Sequence, residues 1–233
     1  MKKWIMLLLA VVMLFSTCFA MAEEAAVMDH AAYIEAELDS AVCVETYVQA
    51  TQSWWDGKIT VYAQGKDGAY FIYNMACSEE DAAKLVPGAK IRVKGFKSEW
   101  AGEIEITDAT FELIDGDAFI AEAKDVTAAL GTDELIQHQN EKVLLKGLTV
   151  AAQDDGEPFG RKNPAQPDDL YVRFTNADGL VFNFCVEYYL TNEETDVYKA
   201  VEGLQLGDVV DVEGFLYWYE GPNTHLTAVT KAE

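Results

Sequence analysis

Apolar and polar residues alternate along most of the chain, which is the pattern of strands with one buried face. The segment AVCVETYVQA (41–50) alternates and is rich in β-branched residues, and KITVYAQ (58–64) and AYFIYNM (69–75) follow it. The pairs Asp56-Gly57 and Asp67-Gly68, which separate these runs, are typical hairpin turn signals. The pattern therefore predicts three consecutive strands joined by tight turns.

The period then changes over one short segment. SEEDAAKLV (78–86) offers Ser78 as an N-cap followed by acidic residues, so it predicts a short helix that Pro87-Gly88 ends. Two more alternating runs follow, at 89–100 and 103–113. The predicted element order is three strands, a helix and two strands.

The second half of the chain repeats this order. LVPGAKIRVKGFKSEWAG (85–102) aligns with LQLGDVVDVEGFLYWYEG (204–221), and VYAQGKDGAYFIYNM (61–75) aligns with VRFTNADGLVFNFCV (172–186). Three glycines, a leucine, a valine and a phenylalanine coincide in the first of these alignments. We infer a duplicated unit, whose second helix is expected to begin with a capping box, Thr191 to Glu194.

These segments resemble secreted bacterial modules of the OB-fold, in which a short helix leads into the first strand. The residues that carry the resemblance are HAAYIEAELDSAVCVETYVQA (30–50) and the V-x-G-F pattern at Val93–Phe96 and Val212–Phe215. The OB-fold is a five-stranded Greek-key barrel that hosts many unrelated ligands. The resemblance implies a mainly β protein of two tandem OB-fold barrels, each with a lead-in helix and a helix between strands three and four.

The predicted organisation is a signal peptide over 1–22, a first barrel over 23–114, a helical connector over 115–140 and a second barrel over 141–233. The connector contains two helix-prone stretches separated by a glycine, and we interpret it as the lead-in to the second barrel.

The first 22 residues have the features of a secretory signal. Two lysines precede an apolar run that is too short to span a bilayer comfortably, and Ala20-Met21-Ala22 is a suitable cleavage site. We expect cleavage before Glu23 and a secreted or cell-surface protein without a membrane span. Lipidation at Cys18 is the alternative, which the preceding residues Phe15–Thr17 disfavour.

The formal net charge of −23 disfavours nucleic acid as a partner, because such a field repels phosphate backbones. Three cysteines follow the signal peptide, and none lies in a C-x-x-C pair. We interpret Cys43, Cys77 and Cys185 as small buried residues. A Cys43–Cys77 disulfide is the alternative.

The stretch FLYWYEGPN (215–223) holds three consecutive rings, and alternate side chains of a strand point to opposite faces. At least one of these rings must therefore face outward. In OB-folds the loops between strands one and two, and between strands four and five, flank the binding face. The candidate ligand-binding residues are the aromatic residues near these loops and the tip of the long proline-rich loop 153–169: Trp54, Trp55, Trp100, Tyr217, Trp218, Tyr219, Phe159, Arg161 and Lys162. Packing of the same rings within or between the barrels is the alternative.

The sequence predicts a non-enzymatic binding or adapter protein that recognises a glycan, an envelope polymer or an extracellular protein, with no cofactor and no metal. Single-stranded nucleic acid is the alternative, because Lys90, Arg92 and Lys94 form a basic stripe on one strand. A hydrolase that uses carboxylates has less support, since no catalytic motif is present. The acidic loop 153–169 offers oxygen ligands for Ca²⁺ but lacks EF-hand spacing.

Overall fold

The structure is a computed structural model that describes residues 26–232, so the predicted signal peptide lies outside the described residues. The first unit contains α1 (His30–Glu35), β1 (Ala41–Thr51), β2 (Lys58–Gln64), β3 (Ala69–Ala76), α2 (Glu79–Ala82), β4 (Lys90–Trp100) and β5 (Glu103–Leu113). The second contains β6 (Lys124–Asp125), β7 (Lys142–Ala151), β8 (Gly160–Arg161), β9 (Leu170–Thr175), β10 (Val181–Val186), α3 (Asp196–Glu202), β11 (Val209–Phe215) and β12 (His225–Lys231).

Each unit is a closed five-stranded barrel. In the first barrel the strands follow the order β1-β2-β3-β5-β4, and β1 pairs with β4 to close it. In the second barrel β7-β11-β12-β10-β9 closes through a β7–β9 pairing. One parallel pair occurs at the same place in both barrels, β3 with β5 and β10 with β12. The prediction of two tandem OB-fold barrels is confirmed.

The repeated glycines have the same structural role in both barrels. Gly95 and Gly214 lie where the pairing register of β4 and β11 shifts against the following strand. A Cβ on Gly95 would lie 2.7 Å from the carbonyl oxygen of Thr107, and one on Gly214 would collide with the carbonyl oxygen of His225. Only glycine allows this close approach of two backbones.

The first of the two expected helix caps is confirmed. Ser78 caps α2, and its side chain accepts a hydrogen bond from the amide of Asp81. The expected capping box at Thr191 is wrong, because the N-cap of α3 is Thr195, four residues later. The intervening residues are held in a turn, in which the Thr191 hydroxyl donates to the carbonyl oxygen of Glu187.

The segment that leads into the second barrel forms two 3₁₀ turns, Thr127–Ala129 and Leu135–His138, in place of the longer helices that its composition favours. Residues 114–123 form neither helix nor strand, and the side chain of Gln49 holds them by accepting from the amide of Ala121 and donating to the carbonyl oxygen of Phe119. Tertiary hydrogen bonds have overridden local helix propensity here.

Each barrel has its own core, and Cys43, Cys77 and Cys185 are buried thiols. We call the contact between the two barrels the seam. A third, smaller apolar cluster lies in the seam and consists of Tyr62, Phe71 and Phe215 with flanking apolar residues. The rings of Phe215 and Tyr62 stack with centroids 4.6 Å apart. Phe96, the repeat equivalent of Phe215, is instead 46% exposed. Of these two equivalent phenylalanines, only Phe215 of the second barrel therefore contributes to the contact between the barrels.

Candidate ligand cleft between the barrels

A cavity of about 810 Å³ opens on the seam, and we call it the seam cleft. Both barrels line it. The first barrel contributes Gln52, Ser53, Trp55, Lys58, Ile59, Thr60, Phe71, Tyr73 and Asn74, and the second contributes Asp169, Tyr171, Asn183, Cys185, Glu187, Tyr189, Tyr217, Tyr219, Asn223 and His225. The cleft exists only because the barrels pack together.

Three rings form an ordered wall of the cleft. Tyr217 stacks on His225 with centroids 4.3 Å apart, and it meets Phe71 of the first barrel edge to face. His225 Nδ1 and the hydroxyl of Tyr62 share a hydrogen bond of 2.6 Å across the seam. Burial lowers the pKa of His225 to about 3, so the imidazole is neutral at physiological pH.

Two carboxylates lie beside this wall, and both have partners. Asp169 accepts hydrogen bonds from Lys162 Nζ and from the amide of Tyr188. Glu187 accepts from the amide of Leu190, and burial raises the pKa of Glu187 to about 7. Lys58 is the single cationic side chain among the described residues that line the cleft.

Exposed rings surround the cleft. Trp55 is 79% exposed, Tyr189 is 59% exposed and Tyr219 is 51% exposed. The amides of Asn74 and Asn183 lie among these rings and are exposed. Aromatic faces with amides between them can stack on a flat apolar ligand surface while they bond hydroxyl or carbonyl groups at its edge.

Of the aromatic candidates, Trp55, Tyr217 and Tyr219 meet at this cleft. Trp100 is 63% exposed but does not line it. Trp54 turns toward the core of the first barrel, where its indole Nε1 donates to the carbonyl oxygen of Cys77 at 2.8 Å.

Trp218 joins the two barrels. Its ring packs on the core of the second barrel and lies so close to Gly102 that a Cβ there would be 2.8 Å from it. Its amide donates to Glu103 Oε2 of the first barrel at 2.8 Å. This residue therefore contributes to the seam.

Glu103 is a buried carboxyl at this contact. Besides Trp218, the side-chain amide of Gln139 donates to its Oε2 at 3.1 Å. Its other oxygen, Oε1, is buried and has no hydrogen-bond partner among the described residues. Burial raises the pKa of Glu103 to about 8.

The tip of the long loop packs within the second barrel. Arg161 pairs with Glu202, donates to the hydroxyl of Tyr198 at 2.8 Å and lies over the ring of Phe159. Lys162 pairs with Asp169 at 2.9 Å. The structure therefore places Phe159, Arg161 and Lys162 outside the lining of the cleft.

The basic stripe on β4 faces acidic residues of neighbouring strands. Glu45 pairs with Lys90 at 2.8 Å and with Arg92 at 2.7 Å, and Glu112 lies 3.8 Å from Lys94. Lys97, just beyond the stripe, is buried and donates to carbonyl oxygens at the end of α1. The local positive charge of the stripe is largely neutralised.

Several residues of the cleft are not among the sequence-based candidates, notably Tyr73, Tyr171, Glu187, Tyr189 and His225. An outward-facing tyrosine on a strand is only weak evidence for a binding site, because many such rings simply cover exposed sheet surface. The segment EYY (187–189) was the strongest available hint, since it places adjacent rings at the end of a strand.

Among residues 26–232, no helix is long and apolar enough to cross a membrane. The same residues contain no cluster of three or more histidines, cysteines or acidic residues placed to hold a metal ion. In the acidic loop, Asp154 pairs with Arg173 at 2.6 Å.

No protein-family model matches the chain, and no curated protein matches it. Among solved structures, it is similar to a murine DNA-binding protein bound to double-stranded DNA, with 10% identity and a TM-score of 0.36 over 83% of this chain and 100% of that one. It is also similar to a replication protein A heterotrimer bound to single-stranded DNA, with 9% identity and a TM-score of 0.33 over 84% of this chain and 51% of that one. Likeness at this level carries no argument about what this chain binds.

Proposed function

We propose that this chain is a non-enzymatic protein that binds a neutral glycan in the seam cleft and acts outside the cell. One observation carries the proposal: exposed rings from both barrels, including Trp55, Tyr73, Tyr189 and Tyr219, meet at one cavity that also presents side-chain amides.

The chemistry of the cleft fits a sugar chain. The face of a pyranose is apolar and stacks on aromatic rings, whereas its hydroxyls need amide, hydroxyl or carboxylate partners. The cleft offers Asn74, Asn183 and Asn223 as such partners. Lys58 is the one cation of the described lining and Asp169 is already paired with Lys162, so the net charge of −23 on the whole chain is what would repel an anionic polymer.

Single-stranded nucleic acid is the competing ligand, since bases also stack on exposed rings. The charge distribution opposes it, because the chain carries a net charge of −23 and the stripe of Lys90, Arg92 and Lys94 already faces carboxylates.

The extracellular location rests on the signal-like residues 1–22, with cleavage proposed before Glu23. An exported protein would meet glycans of cell envelopes and of the surrounding matrix.

The test compares two exposed tryptophans of the first barrel. Binding of neutral hexasaccharides of the cello-, chito- and malto- series is measured by calorimetry and tryptophan fluorescence, with oligothymidylate as the competing probe. We expect one neutral series to bind and Trp55→Ala to weaken it by at least about fivefold, taking as a guide the about 1–3 kcal/mol that an aromatic side chain contributes when it stacks on a base. Trp100→Ala, which removes another exposed indole outside the cleft, should leave the affinity unchanged.

Three results would contradict the proposal. They are no binding by any neutral glycan, an equal loss of affinity in both tryptophan variants, and binding of oligothymidylate that weakens steeply with salt.

A further inference from the structure

A second, smaller hollow of about 380 Å³ lies on the same seam. It shares four lining residues with the seam cleft: Gln52, Ser53, Ile59 and Tyr189. The two hollows therefore adjoin along a ridge, where the amide of Ser53 donates to the carbonyl oxygen of Tyr189 at 2.8 Å. The exposed ring of Tyr189 lines both sides.

From this continuity we propose that the two hollows are subsites of one groove, and that the ligand is a linear neutral glycan whose chain passes over the Ser53–Tyr189 ridge. This inference rests on the proposed function and extends it, because it assigns a second binding subsite and requires a polymer in place of a single sugar.

The composition of the second hollow supports a neutral ligand. None of the described residues that line it is acidic or basic, although the chain as a whole is strongly acidic. The lining instead combines the rings of Trp54 and Tyr188 with the polar groups of Thr51 and Asn192. An uncharged, hydroxyl-rich chain can use such a surface without losing the hydration of a charge.

Trp54 fits this role through its ring. Its indole Nε1 is already bonded to the carbonyl oxygen of Cys77, which fixes the orientation of the half-buried ring at the hollow. A ring held in place before binding loses little conformational entropy when a sugar stacks on it.

Asn192 is the polar group best placed to bond the ligand. Its Oδ1 accepts a hydrogen bond from the amide of Glu194 and so closes a local turn. Its Nδ2 has no partner among the described residues and remains available to donate to a sugar hydroxyl.

The test uses a length series, from disaccharide to octasaccharide, of the neutral glycan that binds best. We expect the affinity to rise by about tenfold as the chain becomes long enough to cross the ridge, which corresponds to about 1.4 kcal/mol. Asn192→Asp keeps the acceptor that closes the turn, but it removes the donor and adds a negative charge. This variant should bind the long oligosaccharide no better than the short one, and its affinity for the short one should equal that of the wild type.

Asn163→Asp is the matched control. Asn163 is also half-buried, and its Oδ1 accepts from the amide two residues later, but it lines neither hollow. It should leave every affinity unchanged. A wild-type affinity that does not depend on length, or a loss in Asn192→Asp that is equal for short and long chains, would overturn the second subsite while leaving the seam cleft as a glycan site. Failure of Trp55→Ala to weaken any oligosaccharide would overturn the proposed function itself.

Discussion

The buried carboxyl of Glu103 should make the stability of the protein depend on pH. It lies at the contact between the barrels, where its Oε2 accepts hydrogen bonds from the amide of Trp218 and from Gln139. Burial raises its pKa from 4.5 to about 8, so the folded chain holds a proton that the unfolded chain releases above pH 4.5.

The sign and size of the effect follow from this difference. Because the folded-state pKa is raised, the contribution to stability is complete below pH 4.5 and is lost as the pH rises to about 8. Each pH unit in this window costs about 1.4 kcal/mol, so the total cost approaches roughly 5 kcal/mol above pH 8.

Glu103→Gln tests this effect, because glutamine has nearly the shape of the protonated acid and keeps an acceptor for Trp218 and Gln139. Its amide nitrogen takes the place of Oε1, which has no partner among the described residues. Urea unfolding, followed by tryptophan fluorescence between pH 4 and pH 9, gives the free energy of unfolding of both proteins. The variant should gain stability relative to the wild type by about 1.4 kcal/mol per unit between pH 4.5 and pH 8.

Glu187, whose raised pKa has causes that do not involve Glu103, is present in both proteins and cancels in the comparison, whereas the nearby charge of Glu105 contributes to the raised pKa of Glu103 itself. Glu99→Gln controls for the change in net charge, since Glu99 is an exposed acid on the strand next to Glu103. A difference between Glu103→Gln and the wild type that stays constant across this pH range would refute the reasoning.

Three further predictions concern the seam, the repeat and export. Phe215→Ala should lower the free energy of unfolding by about 3–5 kcal/mol, whereas Phe96→Ala, at the exposed equivalent position, should lower it by less than about 1 kcal/mol in the same urea assay. Equal losses would contradict the finding that only Phe215 of this pair packs between the barrels. Gly214→Ala should lower the free energy of unfolding by at least roughly 1–3 kcal/mol, because its Cβ would collide with the carbonyl oxygen of His225. Gly203→Ala should change thermal stability little, since its Cβ would make only ordinary contacts. Mass spectrometry of the exported protein should find a chain that begins at Glu23, and a lipid-modified chain beginning at Cys18 would contradict the expected cleavage.

The sequence predicted local structure well wherever it depends on neighbouring residues. Alternation marked the strands of both barrels, turn signals such as Asp56-Gly57 marked hairpins, and Ser78 marked the start of α2. The repeat predicted two barrels, because aligned glycines and apolar positions require the same backbone in both.

Features that depend on distant residues were missed. The first part of the connector is not helical, and Gln49, far away in the sequence, bonds its backbone. The seam cleft depends on pairs such as Tyr62 and His225, which are 163 positions apart. Periodicity indicates which face of a strand is buried, but it does not indicate which barrel face packs on another, so only Trp55, Tyr217 and Tyr219 among the candidates met at the cleft.

A crystal structure of the protein with the neutral oligosaccharide that binds best tests the central claim most directly. We predict a sugar ring among Trp55, Tyr217 and Tyr219, in contact with both barrels at once. Sugar bound to one barrel alone, or at the exposed indole of Trp100, would contradict it.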